Sequence, residues 1–152
     1  MYKVLIIFVI ILSSTFANAD YFRGIKCAQN VSEVEGLILD ATKGTNFEKK
    51  EYRIKNDLIQ IGEVKSNLIS YLFWNDRFFG ITIDIFKKED YNKIIRYFNE
   101  KHGPVIRSDK NKSLIWLTEN AVIIVNRFST HLSQVQVLCR DLYNEMHGQT
   151  TK

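Results

Sequence analysis

The chain has 152 residues, 45% of them hydrophobic and 25% charged, with a net charge of +4. That is enough for one domain with a core of its own. Lysines and acids are interspersed, as in NFEKKEYRIKND, so there is no basic stripe to hold a phosphate backbone and no nucleic-acid partner is expected.

The chain opens MYKVLIIFVIILSSTFANAD. Lys3 gives a positive start, residues 4–12 are an unbroken apolar run, and Ala17-Asn18-Ala19 is a small-x-small exit. This is the layout of a secretory signal peptide over residues 1–19. The run is too short for a spanning helix, which takes about 20 apolar residues. The expectation is an exported protein, periplasmic or secreted. Its mature part, residues 20–152, reads as a single domain without a transmembrane span.

The only cysteines are Cys27 and Cys139. In an oxidising compartment an even pair forms a disulfide. Closing a loop of about 110 residues would stabilise by several kcal/mol in the chain-entropy model. A metal pair or a catalytic thiol is the alternative, and neither cysteine has a spaced His, Cys or carboxylate beside it.

Residues 21–26 read as a short extended segment. Asn30 then reads as a helix N-cap, with Glu33 completing a capping box and Val31, Val34, Leu37 and Ile38 at helical spacing. ATKGTN reads as a loop, residues 51–55 as a first strand, and residues 58–64 as a strand broken at Gly62. Residues 68–74 and 77–86 form the clearest hairpin, around the two-residue turn Asn75-Asp76. In its simplest register Leu72 faces Phe79, Ser70 faces Ile81 and Leu68 faces Ile83, an apolar face that must be buried. The opposite face then carries Phe73 against Phe78, Tyr71 against Gly80 and Ile69 against Thr82.

Asp90 reads as the cap of the main helix, residues 91–102, with Tyr91, Ile94, Ile95 and Phe98 on one stripe. Gly103 ends it and Pro104 prevents its continuation. A strand at 105–108 and a second hairpin, 114–118 with 121–128, follow. Residues 134–140 alternate, with Val135, Val137 and Cys139 inward, and residues 141–147 close as a short helix. The sum is an α+β fold: an antiparallel sheet of about six strands with one principal helix on one face.

The opening YFRGIKC, ahead of a capped segment, resembles a group of small exported bacterial proteins that begin Phe-Arg-Gly-Ile-x-Trp-Gly. The matching residues are Phe22, Arg23, Gly24 and Ile25. DLIQIG at 57–62, FWNDRF at 73–78, the helix end KHGP and the strand LIWLT are similar too. The sequence departs at Cys27 and Ala28, where the group has Trp and Gly. The resemblance implies export and the fold, and it carries over no catalytic residue.

No catalytic set is expected. His102, His131 and His147 have no ligand-like neighbours, so no metal is expected. There is no Gly-x-Ser-x-Gly and no phosphate loop, and no cofactor is expected. Asp84 interrupts an apolar strand and reads as a solvent-facing residue. Tyr71, Phe73, Trp74, Arg77 and Phe78 cluster around the tip of the first hairpin. Aromatics with arginine are the types enriched in interface hot spots, and Trp74 and Arg77 are placed to stack. The alternative is that this face packs as ordinary core.

The expected function is a non-catalytic binding or accessory module of the cell envelope or the secreted fraction, acting by contact with an envelope or secreted protein. One alternative is a periplasmic, hydrolase-like enzyme without a recognisable motif, using Asp84 or another carboxylate. The other is a lipid or small-ligand binder with a cavity beneath Tyr91, Ile94 and Phe98.

Overall fold

A computed structural model describes residues 21–43, 48–108 and 113–148. The signal-peptide reading of residues 1–19 lies outside the described residues. Alternating side chains build the main sheet. Strands β3 (Leu37–Lys43), β4 (Lys49–Ile54), β7 (Ile69–Trp74), β8 (Arg77–Ile85), β9 (Arg107–Ser108), β10 (Ser113–Leu117), β11 (Ala121–Arg127) and β12 (Ser133–Cys139) pair antiparallel in the order β3-β4-β7-β8-β12-β11-β10-β9. Two small hairpins stand outside it: β1 (Tyr21–Phe22) with β2 (Ile25–Lys26), and β5 (Ile59–Ile61) with β6 (Val64–Ser66). Helices α1 (Lys88–His102) and α2 (Arg140–Met146) complete an α+β fold, with a main sheet of eight strands where about six were expected.

The register separates the two faces of the sheet. Trp116, Ile123, Val137, Ile81 and Tyr71 stand side by side across five strands, and all five are buried. This is the core face. Phe22, Ile25, Ile59, Ile61 and Val64 of the small hairpins join its cluster, together with Ile94 and Phe98 of α1. Phe98 lies 5.5 Å from the ring of Trp116, whose indole N–H donates to Gly103 O at 3.2 Å. The row on the other face is Ile115, Ile124, Gln136, Thr82 and Ser70, mostly half-buried.

Three expectations need correction. The first is the helix over 31–38. Asn30 does cap, accepting from Ser32 N at 3.0 Å, but only a 3-10 turn over Val31–Glu33. Gly36, at φ 77, then turns the chain, and Leu37–Lys43 becomes a strand. Pairing with β4 outweighs a helical spacing that is only local. Ala41–Lys43, expected in a loop, extends that strand. The second is the start of α1. The helix begins at Lys88 with no side-chain cap, and Glu89 and Asp90 sit in its first turn, where they complement the helix dipole.

The third is the hairpin register. The turn is as expected, with Asn75 and Asp76 both left-handed at φ 50 and 61. Phe73↔Phe78 and Trp74↔Arg77 also pair as expected. A bulge then leaves Phe79 without a partner, and the ladder resumes as Leu72↔Gly80, Tyr71↔Ile81 and Ile69↔Ile83. Ile69, Tyr71, Phe73, Phe78, Ile81 and Ile83 thereby share the core face.

The disulfide follows from how β12 ends. Its pairing with β8 stops at Leu138↔Gly80. Beyond that point residues 28–31 take its place beside the hairpin: Ala28 N donates to Phe78 O, Phe78 N to Gln29 O, and Val31 N to Asp76 O, at 3.0, 2.8 and 2.9 Å. Cys27 therefore arrives beside the last residue of β12, and Cys27 and Cys139 are joined with their Cα atoms 5.9 Å apart. Such a bond is consistent with an oxidising, extracytoplasmic compartment. No helix among the described residues is long and apolar enough to cross a membrane.

Candidate functional site

The structure divides the five aromatic and arginine residues of the hairpin tip. Tyr71, Phe73 and Phe78 are core, none more than 1% exposed, so they offer no contact surface. Phe78 lies edge-on to Phe22 at 5.9 Å and to Phe73 at 5.5 Å. The bulge at Phe79 is the cause, because it turns Ile81 and Ile83 to the side that Tyr71, Phe73 and Phe78 already share, and makes that side the core. Trp74 and Arg77 are half-buried on the other face. Arg77 stacks over the Trp74 ring at 5.1 Å and forks onto both carboxylate oxygens of Glu145 at 2.8 and 3.1 Å. That hydrogen bonding holds the Glu145 carboxyl below its ordinary range. The tip thus ties the hairpin to α2 and spends its arginine within the chain.

Two of the quoted segments, FRGI and DLIQIG, meet at one place. Arg23 of FRGI forms an ion pair with Asp57 of DLIQIG at 2.5 Å and donates to Leu58 O at 2.8 Å. The buried Tyr71 hydroxyl donates to the other oxygen of Asp57 at 2.6 Å. Burial first, and the Asp57 hydrogen bond second, push the Tyr71 phenol well above its ordinary range. The trio is internally satisfied and anchors the β1–β2 hairpin over the core.

Arg23 also fixes Leu58, and Leu58 belongs to a surface that sequence reasoning missed. Leu58, Leu68 and Phe86 are 55%, 41% and 54% exposed, yet they line one groove of about 280 Å³ at the end of the molecule away from the disulfide. Buried Val64 and Ile85 contribute to it, and Lys65, Lys87, Asp84 and Asp90 supply charges of both signs. Its wall is well fixed. Ser66 Oγ accepts from Leu68 N at 3.1 Å and donates to Asp84 O at 3.1 Å, and Asp84 N donates to Leu68 O at 3.1 Å. One signal in the sequence pointed here: Ile85-Phe86 at a strand end cannot both face the core.

Asp84 is half-buried, and its Oδ1 accepts from the Gln134 amide at 2.9 Å. Ile94 and Phe98 are buried in the core cluster, where Phe98 lies against Trp116. Among the described residues no group of three or more His, Cys, Asp or Glu is placed to hold a metal. His102 stacks on Phe98 at 6.0 Å, and burial lowers its pKa. No family model matches the chain, and no curated protein or solved structure matches it either.

Proposed function

We propose that this is an exported, non-catalytic contact module of the cell envelope or the secreted fraction, related to the small exported proteins that its opening resembles. The observation that carries the reading is the convergence of Leu58, Leu68 and Phe86 on one groove of a scaffold closed by a disulfide. Large apolar side chains left half in water, ringed by both signs of charge, have the anatomy of a protein interface. Mixed charge favours a protein over an anionic lipid surface. The partner would present an apolar segment with its own charges at the rim.

The test is photo-crosslinking in living cells, with the reactive residue in place of Phe86 and a control in place of Asp141 on α2. A discrete adduct from position 86 alone, lost when Leu58 and Leu68 are both replaced by Ser, is expected. Adducts from both positions, or from neither, would defeat this reading.

A second reading has one observation behind it. Asp84 and Asp90 line the same groove, and two carboxylates are the minimum for hydrolytic acid–base work. Turnover of a glycan or ester panel that disappears in Asp84→Asn and Asp90→Asn would replace the contact reading with this one.

A further inference from the structure

β3 ends the main sheet, so among the described residues no strand lies along its outer side. Exposed edges template further pairing, and natural sheets blunt them with charge, proline or a bulge. Here the blunting covers half the strand. The ladder to β4 is irregular at Asp40, and Asp40 is held by Arg53 at 2.8 Å, which guards the Ala41 end. The other half reads Leu37-Ile38-Leu39. Ile38 and Leu39 point to opposite faces of the sheet, yet they are 58% and 54% exposed. An added strand would cover both.

Self-pairing supplies a matching strand. In an antiparallel pair centred on Ile38, Ile38 faces Ile38 of a second copy and Leu37 faces Leu39, while Gly36, which turns the chain, and Asp40, at the irregularity, bound the pairing. Directly opposed residues share a face, so apolar meets apolar on both sides of the joined sheet. Asp40, the charge nearest the axis, lies just beyond the paired residues and keeps Arg53. No like charges are opposed, and the two-fold axis provides the Leu37–Leu39 contact twice, on either side of the Ile38 pair. We propose that β3 is a homodimer edge, joining two copies through Leu37–Leu39 into one continuous sheet. A pairing this short belongs to the small, weak class of interfaces, so the dimer forms and dissociates with concentration. This inference does not depend on the groove or its partner.

Sedimentation equilibrium of the disulfide-intact chain tests it. Its apparent mass should rise towards twice the monomer mass as concentration increases, and Ile38→Lys and Leu39→Lys should stay monomeric. Phe86→Ser should dimerise like the parent, which separates this edge from the exposed groove. As a second measurement, Ile38→Cys lies on the two-fold axis and should form a disulfide-linked dimer on mild oxidation, while Thr42→Cys should not. The inference is overturned by a chain that remains monomeric throughout, by a dimer that survives both lysine variants, by a dimer lost in Phe86→Ser, or by equal crosslinking from positions 38 and 42.

Discussion

Gly80 lies so close to Val137 that a β-carbon added to it would fall 2.3 Å from the Val137 carbonyl oxygen. Its φ of 152 is also one that side chains rarely adopt. Both conditions come from the bulge at Phe79, which resets the ladder so that Gly80 stands between Leu72 and Leu138 in the middle of the sheet. The obstacle is backbone, which cannot swing aside as a flexible side chain would. Gly80→Ala should therefore cost about 3 kcal/mol. Urea denaturation checks this: the midpoint should fall while the slope stays near that of the parent. A cost below about 0.5 kcal/mol would mean that the sheet does not close this tightly at β8 and β12.

The disulfide replaces strand pairing where β12 ends. Cys27 and Cys139 are 112 residues apart in sequence, so the bond spans most of the described chain. Cys27→Ala with Cys139→Ala should cost about 4 to 5 kcal/mol on the chain-entropy estimate. Phe22 and Ile25 ride on the segment that the bond secures, so this segment should loosen first. Hydrogen exchange of the double variant should show residues 21–31 opening below the global unfolding free energy. Uniform protection across the sheet and this segment would contradict that order.

The alternation of Val135, Val137 and Cys139, the Asn75-Asp76 turn and the helix end at Gly103 were all legible in the sequence, because each is a local pattern with one physical solution. The bulge was not. From Phe78 to Ile83 nearly every residue suits a buried strand, so a shift of one position leaves no trace in composition, yet it inverts the faces. That single step brought Ile81 and Ile83 onto the face of Tyr71, Phe73 and Phe78, and so made core of a candidate surface. The strand at Leu37–Lys43 was hidden for another reason: its partner, β4, is non-local, while Val31, Val34, Leu37 and Ile38 happen to keep helical spacing. The groove of Leu58, Leu68 and Phe86 draws on three separate segments, and only folding brings them together.

The Tyr71 hydroxyl predicts a loss of stability at high pH. Its folded pKa is raised above the ordinary value of 10.0 by burial and by the hydrogen bond to Asp57. The unfolded chain releases this proton near pH 10 and the folded chain retains it, so above that pH the unfolded state binds fewer protons and stability falls. The stabilising contribution is complete below pH 10, and the slope above it approaches about 1.4 kcal/mol per pH unit for one group. Tyr71→Phe should flatten this limb between pH 10 and 11.5, while lowering stability at pH 7 because Asp57 loses a donor. Denaturation midpoints for both chains across that pH range would show it, and parallel curves would rule out Tyr71 as the source.

Leu68 and Ile69 are neighbours in the chain and test the division between surface and core directly. Ile69 is 3% exposed and pairs with Ile83 on the core face, whereas Leu68 is 41% exposed and lines the groove with Phe86. Ile69→Ala removes buried methylenes and leaves a cavity, at a cost of about 3 kcal/mol. Leu68→Ser and Phe86→Ser remove side chains already half in water and should change stability by no more than about 0.5 kcal/mol each. The same two substitutions should reduce binding of a fluorescent apolar dye to the folded protein, because they erase most of the exposed patch. If Phe86→Ser instead destabilises as much as Ile69→Ala, Phe86 belongs to the core, the patch shrinks to two leucines, and the proposed contact surface goes with it.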